Sequence, residues 1–269
     1  MKNKLLSPSR LTDLKAWLAG RAVRCESGPE AIITTGAIEV DKYLSHHGLE
    51  ASSIHEIYAE SHADAVTAHA FALGVAARAA AGKPIVWAFH DMLGQEAGHP
   101  YGPGLHGIGL APRDLLLVRV RDAPTLLAVG EEVLRNPVVG GVLLSAWGEG
   151  KAFTLTVSRR LRLAARRSGV TVLFARAGAV PAPSAAETRW SVRAVASTPL
   201  EGEAPSRPAF SASLLRHRGG VTSKTWIMEW DRERRSFCEP APLPGDLVPL
   251  PALRPSEAAK ESGLWRRTG

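Results

Sequence analysis

The chain has only two cysteines in 269 residues, Cys25 and Cys238. Two distant thiols in no metal-like spacing build neither a disulfide framework nor a cysteine-based zinc site, and they read as free thiols of a reducing cytoplasm. Long apolar runs are missing as well. The most continuous stretch, Ala63 to Ala81, is alanine-rich and broken by Asp64, His69 and Arg78, so no membrane span is expected. The basic start Met1-Lys2-Asn3-Lys4 has no apolar h-region behind it, so no secretory signal is expected either. His90, Asp91, Glu96, His99 and His106 cluster loosely but match no zinc spacing, and no metal is expected. Ser61 precedes His62 without the glycine elbow of a hydrolase nucleophile.

What is present is an ordinary globular balance, 45% apolar and 22% charged, long enough to bury a substantial core. The net charge of +7 and a pI near 9.8 favour an acidic partner, either nucleic acid or an acidic protein face. The excess is concentrated. Between Lys151 and Arg193 lie nine basic residues (Lys151, Arg159, Arg160, Arg162, Arg166, Arg167, Arg176, Arg189, Arg193) against one acid, Glu187. That window alone exceeds the balance of the whole chain.

Hydrophobic periodicity predicts a short amphipathic helix over residues 9–20, then alternating strands and helices from Ser53 onward. Strands are expected at Ile54–Tyr58, Ile85–Phe89, Leu115–Val120, Val138–Leu144, Val170–Phe174 and Trp190–Val195. Helices are expected at Asp64–Ala81, Pro124–Leu134 and Thr154–Ser168. Short apolar strands separated by helices signify a doubly wound α/β fold, a mostly parallel sheet with helices on both faces. Met92 to Pro112 and Val180 to Ser184 read as surface loops. Phe210–His217 and Thr225–Trp230, joined across Gly219-Gly220, read as a C-terminal β-hairpin in which Trp226, Met228 and Trp230 pack on one face. The expected organisation is a lead segment (1–50), a core (51–200), a hairpin extension (201–238) and a proline-rich, flexible tail (239–269).

The lead Thr35-Gly36-Ala37-Ile38-Glu39-Val40-Asp41, the turn Gly48-Leu49, the strand Ile54-His55-Glu56-Ile57-Tyr58 and the turn Ala59 to Thr67 follow one another in an order that resembles the entry to a RecA core. A phosphate loop needs glycines, so that its backbone N–H groups wrap the phosphates, and a lysine for the β/γ oxygens. Here Ala59 and Asp64 stand at the glycine positions, Ala65 at the lysine position and Val66 at that of the Mg²⁺-holding hydroxyl. The strand ending at Leu144 leads to Ser145 where an acid would hold the Mg²⁺ shell, and Arg176 stands where a phosphate-sensing amide would be. This is a degenerate P-loop. No cofactor and no ATPase activity are expected of it.

Within RecA-like proteins, the run Arg207-Pro208-Ala209-Phe210-Ser211-Ala212-Ser213-Leu214-Leu215-Arg216-His217-Arg218-Gly219-Gly220 and the strand Trp226-Ile227-Met228-Glu229-Trp230-Asp231 resemble the ImuA family, over roughly residues 9 to 237. That family comprises accessory proteins of the bacterial SOS mutasome. The resemblance implies a non-catalytic adaptor in error-prone translesion synthesis, binding the polymerase-like protein ImuB, with RecA and an error-prone DnaE-type polymerase as further partners. Two other readings stay open at this point: a SulA-like inhibitor of cell division on the same scaffold, and an ATP-dependent mediator acting on RecA.

Two segments are candidate contact surfaces. On the basic helix Thr154–Ser168, Arg159, Arg162 and Arg166 fall on one stripe with Arg160 and Arg167 beside it; with Arg176, these are candidates for DNA phosphates or an acidic partner. Replacing Arg159, Arg162 and Arg166 by glutamate is expected to abolish DNA binding without unfolding the chain. The loops Ala146–Phe153 and Ala177–Glu187 are short and offer only Trp147 and Phe153 for base stacking, so DNA binding should be salt-sensitive. The tail ends in Leu264-Trp265-Arg266-Arg267, a candidate partner-docking segment.

Overall fold

The computed structural model describes residues 31–197, 206–220 and 222–240, together with Leu14 and residues 16–18. Eleven strands and six α-helices are described. In chain order they are β1 (Ile32–Ile33), α1 (Ile38–Tyr43), β2 (Leu49–Glu50), β3 (Ile54–Ala59), α2 (Ala65–Ala80), β4 (Ile85–His90), α3 (Asp91–Ala97), α4 (Gly102–Gly107), β5 (Leu115–Val120), α5 (Ala123–Val133), β6 (Gly141–Trp147), α6 (Leu155–Ser168), β7 (Thr171–Ala177), β8 (Thr188–Ala194), β9 (Ala209–His217), β10 (Lys224–Asp231) and β11 (Ser236–Cys238). Among the described helices none is long and apolar enough to cross a membrane.

Nine strands form one sheet in the order β11-β10-β9-β8-β3-β7-β6-β4-β5. From β8 to β5 the neighbours run parallel, and β9, β10 and β11 extend that sheet antiparallel. The architecture is mixed α/β with a mostly parallel central sheet and flanking helices, consistent with a RecA-like fold.

Alternation along β6 shows why both faces must be covered. Leu143 points into one core with Phe71, Leu73 and Trp190, while Val142 and Leu144 point into another with Leu126, Val133 and Leu161. Helix α2 covers the first face, and α5 and α6 the second. Leu14 and Leu18, in helical backbone, are buried in the second core. The first core is the aromatic one. Phe71 of α2 meets Phe210, Phe237 and Trp190 at ring-centroid distances of 5.7, 4.9 and 6.1 Å. Gly74 permits that approach, since a Cβ there would stand 2.9 Å from Phe237 and 3.1 Å from Trp230.

Helix caps follow the local chemistry. Asp122 accepts the Thr125 amide at 2.7 Å to start α5, and Thr154 accepts the Val157 amide to start α6, which Gly169 ends at φ 77°. The lead motif is also local structure. The Asp41 carboxylate accepts from the Thr35 amide and hydroxyl, each at 2.8 Å, and from the Gly36 amide at 3.0 Å. Gly36 has φ 96°, and a Cβ there would stand 2.6 Å from Ser236. Thr35 in turn accepts the Phe237 amide, so the motif fastens β11 to the core.

Three expectations need correction. Met92 to Pro112 is not one loop, because it carries α3 and α4; burial of Leu93 and Leu110 and the Trp230 indole N–H on the Ile108 carbonyl (2.9 Å) hold these glycine-rich turns. The strand expected at Val138–Leu144 is β6, Gly141–Trp147, three residues later. Gly140, whose amide reaches the Pro84 carbonyl, is pressed against Ala80, and the ladder begins only after that contact. Ser145 therefore lies within the strand rather than past its end. The short elements α1, β1, β2 and β11 have no counterpart among the expected ones.

Candidate functional site

Ligands of open α/β sheets bind beyond the carboxyl ends of the strands. In this chain that edge is formed by β3, β6, β7 and the turns that follow them. After Ala59, the chain passes through Glu60 and Ser61 into a 3-10 turn, His62–Asp64, and then α2. The turn closes on itself through a reciprocal capping box between Ser61 and Asp64. One oxygen of Asp64 accepts from the Ser61 hydroxyl at 2.6 Å and the Ser61 amide at 3.2 Å. The other accepts the Ala194 amide at 2.9 Å. Partial burial pushes this carboxyl upward, but the Ser61 hydroxyl, the Ala194 and Ser61 amides and the Arg193 charge together hold it below the usual carboxylate range. A negative group belonging to the chain thus takes both Ser61 donors, and the Ala194 amide of β8, where the sequence placed a degenerate P-loop. Ala65 opens α2 buried, and Val66 is exposed beside it.

The two neighbouring strands are also occupied. Ser145 is fully buried and its hydroxyl accepts the Trp87 indole N–H at 2.9 Å. Arg176 is buried, donates to the Gly148 carbonyl at 3.0 Å and lies 4.6 Å from the Phe153 ring centre. His62 and Trp147 pack at 5.3 Å across this edge, with Gly178 against both. Among the described residues no three His, Cys, Asp or Glu side chains group as metal ligands.

Beneath the edge, Glu56 of β3 and Arg189 of β8 form a buried pair at 2.8 Å, their side chains 5% and 11% exposed. Arg189 also donates to the Ser184 hydroxyl and the Ala182 carbonyl, which ties the Val180–Ser184 segment to the sheet. Burial raises the neighbouring Tyr58 phenol, with the Glu56 carboxylate adding to the rise against the two arginines. Sequence reasoning missed this pair. Its signal was an acid within one expected strand and a base just before another.

At the opposite end of β3, His55 is enclosed in a polar chain. The Trp190 indole N–H donates to the Thr188 hydroxyl, which donates to His55 Nδ1, and His55 Nε2 donates to the Glu50 carbonyl, each at 2.8 Å. Burial holds this imidazole at about 4, outweighing the Glu50 carbonyl and carboxylate.

The basic window looks different in space than in sequence. Five of its nine cations meet acids, four of which come from elsewhere in the chain. Arg160 pairs with Glu131, Arg162 with Glu187, Arg166 with Glu50, Arg189 with Glu56 and Arg193 with Glu60. The Arg162–Glu187 pair, 2.8 Å long, is nearly buried; burial lowers the arginine and raises the glutamate, which Glu50 raises further. Among the described residues the other four, Lys151, Arg159, Arg167 and the buried Arg176, have no acidic partner. The outward row on α6 is therefore Arg159, Leu163 and Arg167, with Leu163 58% exposed between them and Arg160 and Arg166 to either side. Arg162 and Arg176 face inward. Glutamate at 162 would stand against Glu187, so the triple replacement is not neutral for folding. Leu264, Trp265, Arg266 and Arg267 lie outside the described residues.

No protein-family model matches the chain. Over 140 residues it is 32% identical to Protein ImuA from two strains of Caulobacter vibrioides, a stretch covering 48% of this chain and 55% of each relative. The chain thus spans about half the length of the curated relatives it matches.

Proposed function

We propose that this protein is a non-catalytic, RecA-like adaptor of the ImuA kind, acting in damage-induced translesion DNA synthesis by holding a polymerase-like ImuB partner. The observation that carries the reading is the Asp64 carboxylate bound to Ser61 and Ala194 in the turn that opens α2. An anion already present repels phosphate, and it holds the Ser61 amide and hydroxyl at the mouth of the turn. The Trp87-bound Ser145 hydroxyl and the inward Arg176 support the same conclusion, since neither is free to organise magnesium or a γ-phosphate. The partial likeness to Protein ImuA supports the biological setting.

The mechanism in this reading is stoichiometric. The scaffold displays surfaces, with RecA and a DnaE-type polymerase as further partners of the assembly. Helix α6 meets DNA phosphates or an acidic protein face through Arg159 and Arg167, with Arg160 and Arg166 at its flanks. The segment Leu264 to Arg267 is a second contact. The test is a tagged pull-down from DNA-damaged cells of the native host, read by mass spectrometry, with and without residues 240–269. Recovery of a polymerase-like protein supports the adaptor, and its loss on truncation assigns the contact to the tail. Recovery of a tubulin-like division protein in its place overturns the reading in favour of a SulA-like inhibitor.

A further inference from the structure

Beside α2 lies a cavity of about 300 Å³ that the adaptor reading does not use. Leu73 of α2, Trp87 and Phe89 of β4, Leu93 of α3, and Leu105 and Ile108 at α4 wall it. No Asp, Glu, Lys or Arg lines it. Its volume lies at the lower end of ligand pockets, roughly 300–1,000 Å³, room for one ring system rather than a nucleotide. The lining continues onto the surface through Val66 and Tyr101, which are 61% and 71% exposed.

One polar group in the wall is unfinished. His69 is 5% exposed, and its Nδ1 faces the Ala65 carbonyl one turn back. A carbonyl only accepts, so Nδ1 carries the hydrogen. Nε2 of the neutral ring is then a lone-pair acceptor, and it is buried with no hydrogen-bond partner. A buried acceptor without a donor is costly, and such exceptions call for an explanation. His69 is among the residues lining the cavity, with Nε2 itself shielded, so the ring must turn for Nε2 to meet a donor held there.

We propose that this cavity receives one tryptophan or tyrosine side chain of a partner protein, its ring held among Trp87, Phe89 and Leu93 and its N–H or O–H donated to His69 Nε2. Two observations favour a side chain over a free metabolite. Apart from the exposed His99 imidazole, the wall offers no charge to hold the carboxylate or ammonium of a free amino acid, and the apolar rim extends the contact beyond the ring itself. Aromatic anchors seated in such pockets dominate many protein interfaces. The proposal stands apart from the adaptor reading, because it concerns the occupant of the cavity and not the identity of the partner.

The test is methyl-detected NMR on the intact chain, following Ala70, Leu73, Leu93, Leu105 and Ile108 during titration with N-acetyl-tryptophanamide. Saturable shifts at millimolar probe are expected. The 1-methylindole analogue of the same probe, which has no N–H, should bind roughly 3- to 10-fold more weakly, the worth of one hydrogen bond. His69→Leu should remove that preference. Ala70→Phe fills the cavity and should abolish the shifts. Gly104→Leu, at the exposed mouth in unstrained backbone, does the same without touching the core. Absence of shifts, shifts that survive both filling variants, or a preference that survives His69→Leu would overturn the proposal. Binding of free indole without binding of the blocked amino acid would make the occupant a small molecule and overturn it equally.

Discussion

The turn into α2 and the outer face of α6 place charge beside a helix in opposite ways. In the turn, one carboxylate is held by the Ser61 amide and hydroxyl and by the Ala194 amide, so a negative charge of the chain already stands there. On α6, Arg159 and Arg167 stand outward with an exposed leucine between them and no acid against either among the described residues. In the adaptor reading, a carboxylate held inside the turn and charge left open on a helix face suit contact rather than catalysis. The charge that matters is the charge left unpaired in space, not the count along the sequence.

The comparison breaks most severely at the buried pair beneath the edge. Arg189→Leu leaves the buried Glu56 carboxylate without its partner and should cost about 3–5 kcal/mol in urea denaturation, whereas Glu56→Leu combined with Arg189→Leu should recover most of it. A loss under 1 kcal/mol for the single variant would show that water reaches Glu56 and that the edge is not sealed.

Acid comes next. Burial holds His55 and His69 at about 4 against an ordinary 6.5, so both are neutral in the folded chain and bind protons more readily once it unfolds. Stability should be full above about pH 6.5 and fall as pH drops from 6.5 toward 4. His69→Gln should flatten this slope, and a melting temperature constant from pH 7 to 4 would contradict it. The Asp64 carboxyl, held low when folded, contributes stability above its unfolded value that disappears only at lower pH.

A smaller effect is expected at the turn itself. Asp64→Ala removes the capping interactions and should cost about 1 kcal/mol. The smallest is on α6, where Arg159→Glu with Arg167→Glu should change stability by less than about 0.5 kcal/mol. The same pair should weaken any salt-sensitive binding to single-stranded DNA or an acidic partner. Unchanged binding at low salt would remove this helix from the account.

The alternation of apolar strands and helices was legible because strand β5 and helix α2 carry their own apolar runs, and helices α5 and α6 their own periodicity and caps. The turn from β3 into α2 was legible for the same local reason. What sequence could not supply was pairing across the fold. Arg162 and Arg166 read as one solvent stripe with Arg159 until Glu187 and Glu50 were seen against them. Glycines at 102, 104 and 107 argued for a loop, and only packing beneath Trp230 and Leu110 makes α4 a helix. The cavity beside α2 was hidden because its walls come from four separate segments, and each segment alone reads as ordinary core.

The central claim is that the chain's own Asp64 carboxylate stands in place of a bound phosphate. Isothermal titration of the intact chain with magnesium-ATP tests it most directly. The expected result is no saturable binding into the millimolar range, with Asp64→Gly weakening stability without creating affinity. Micromolar, magnesium-dependent binding by the unaltered chain would contradict the claim and return the protein to the class of ATP-dependent mediators.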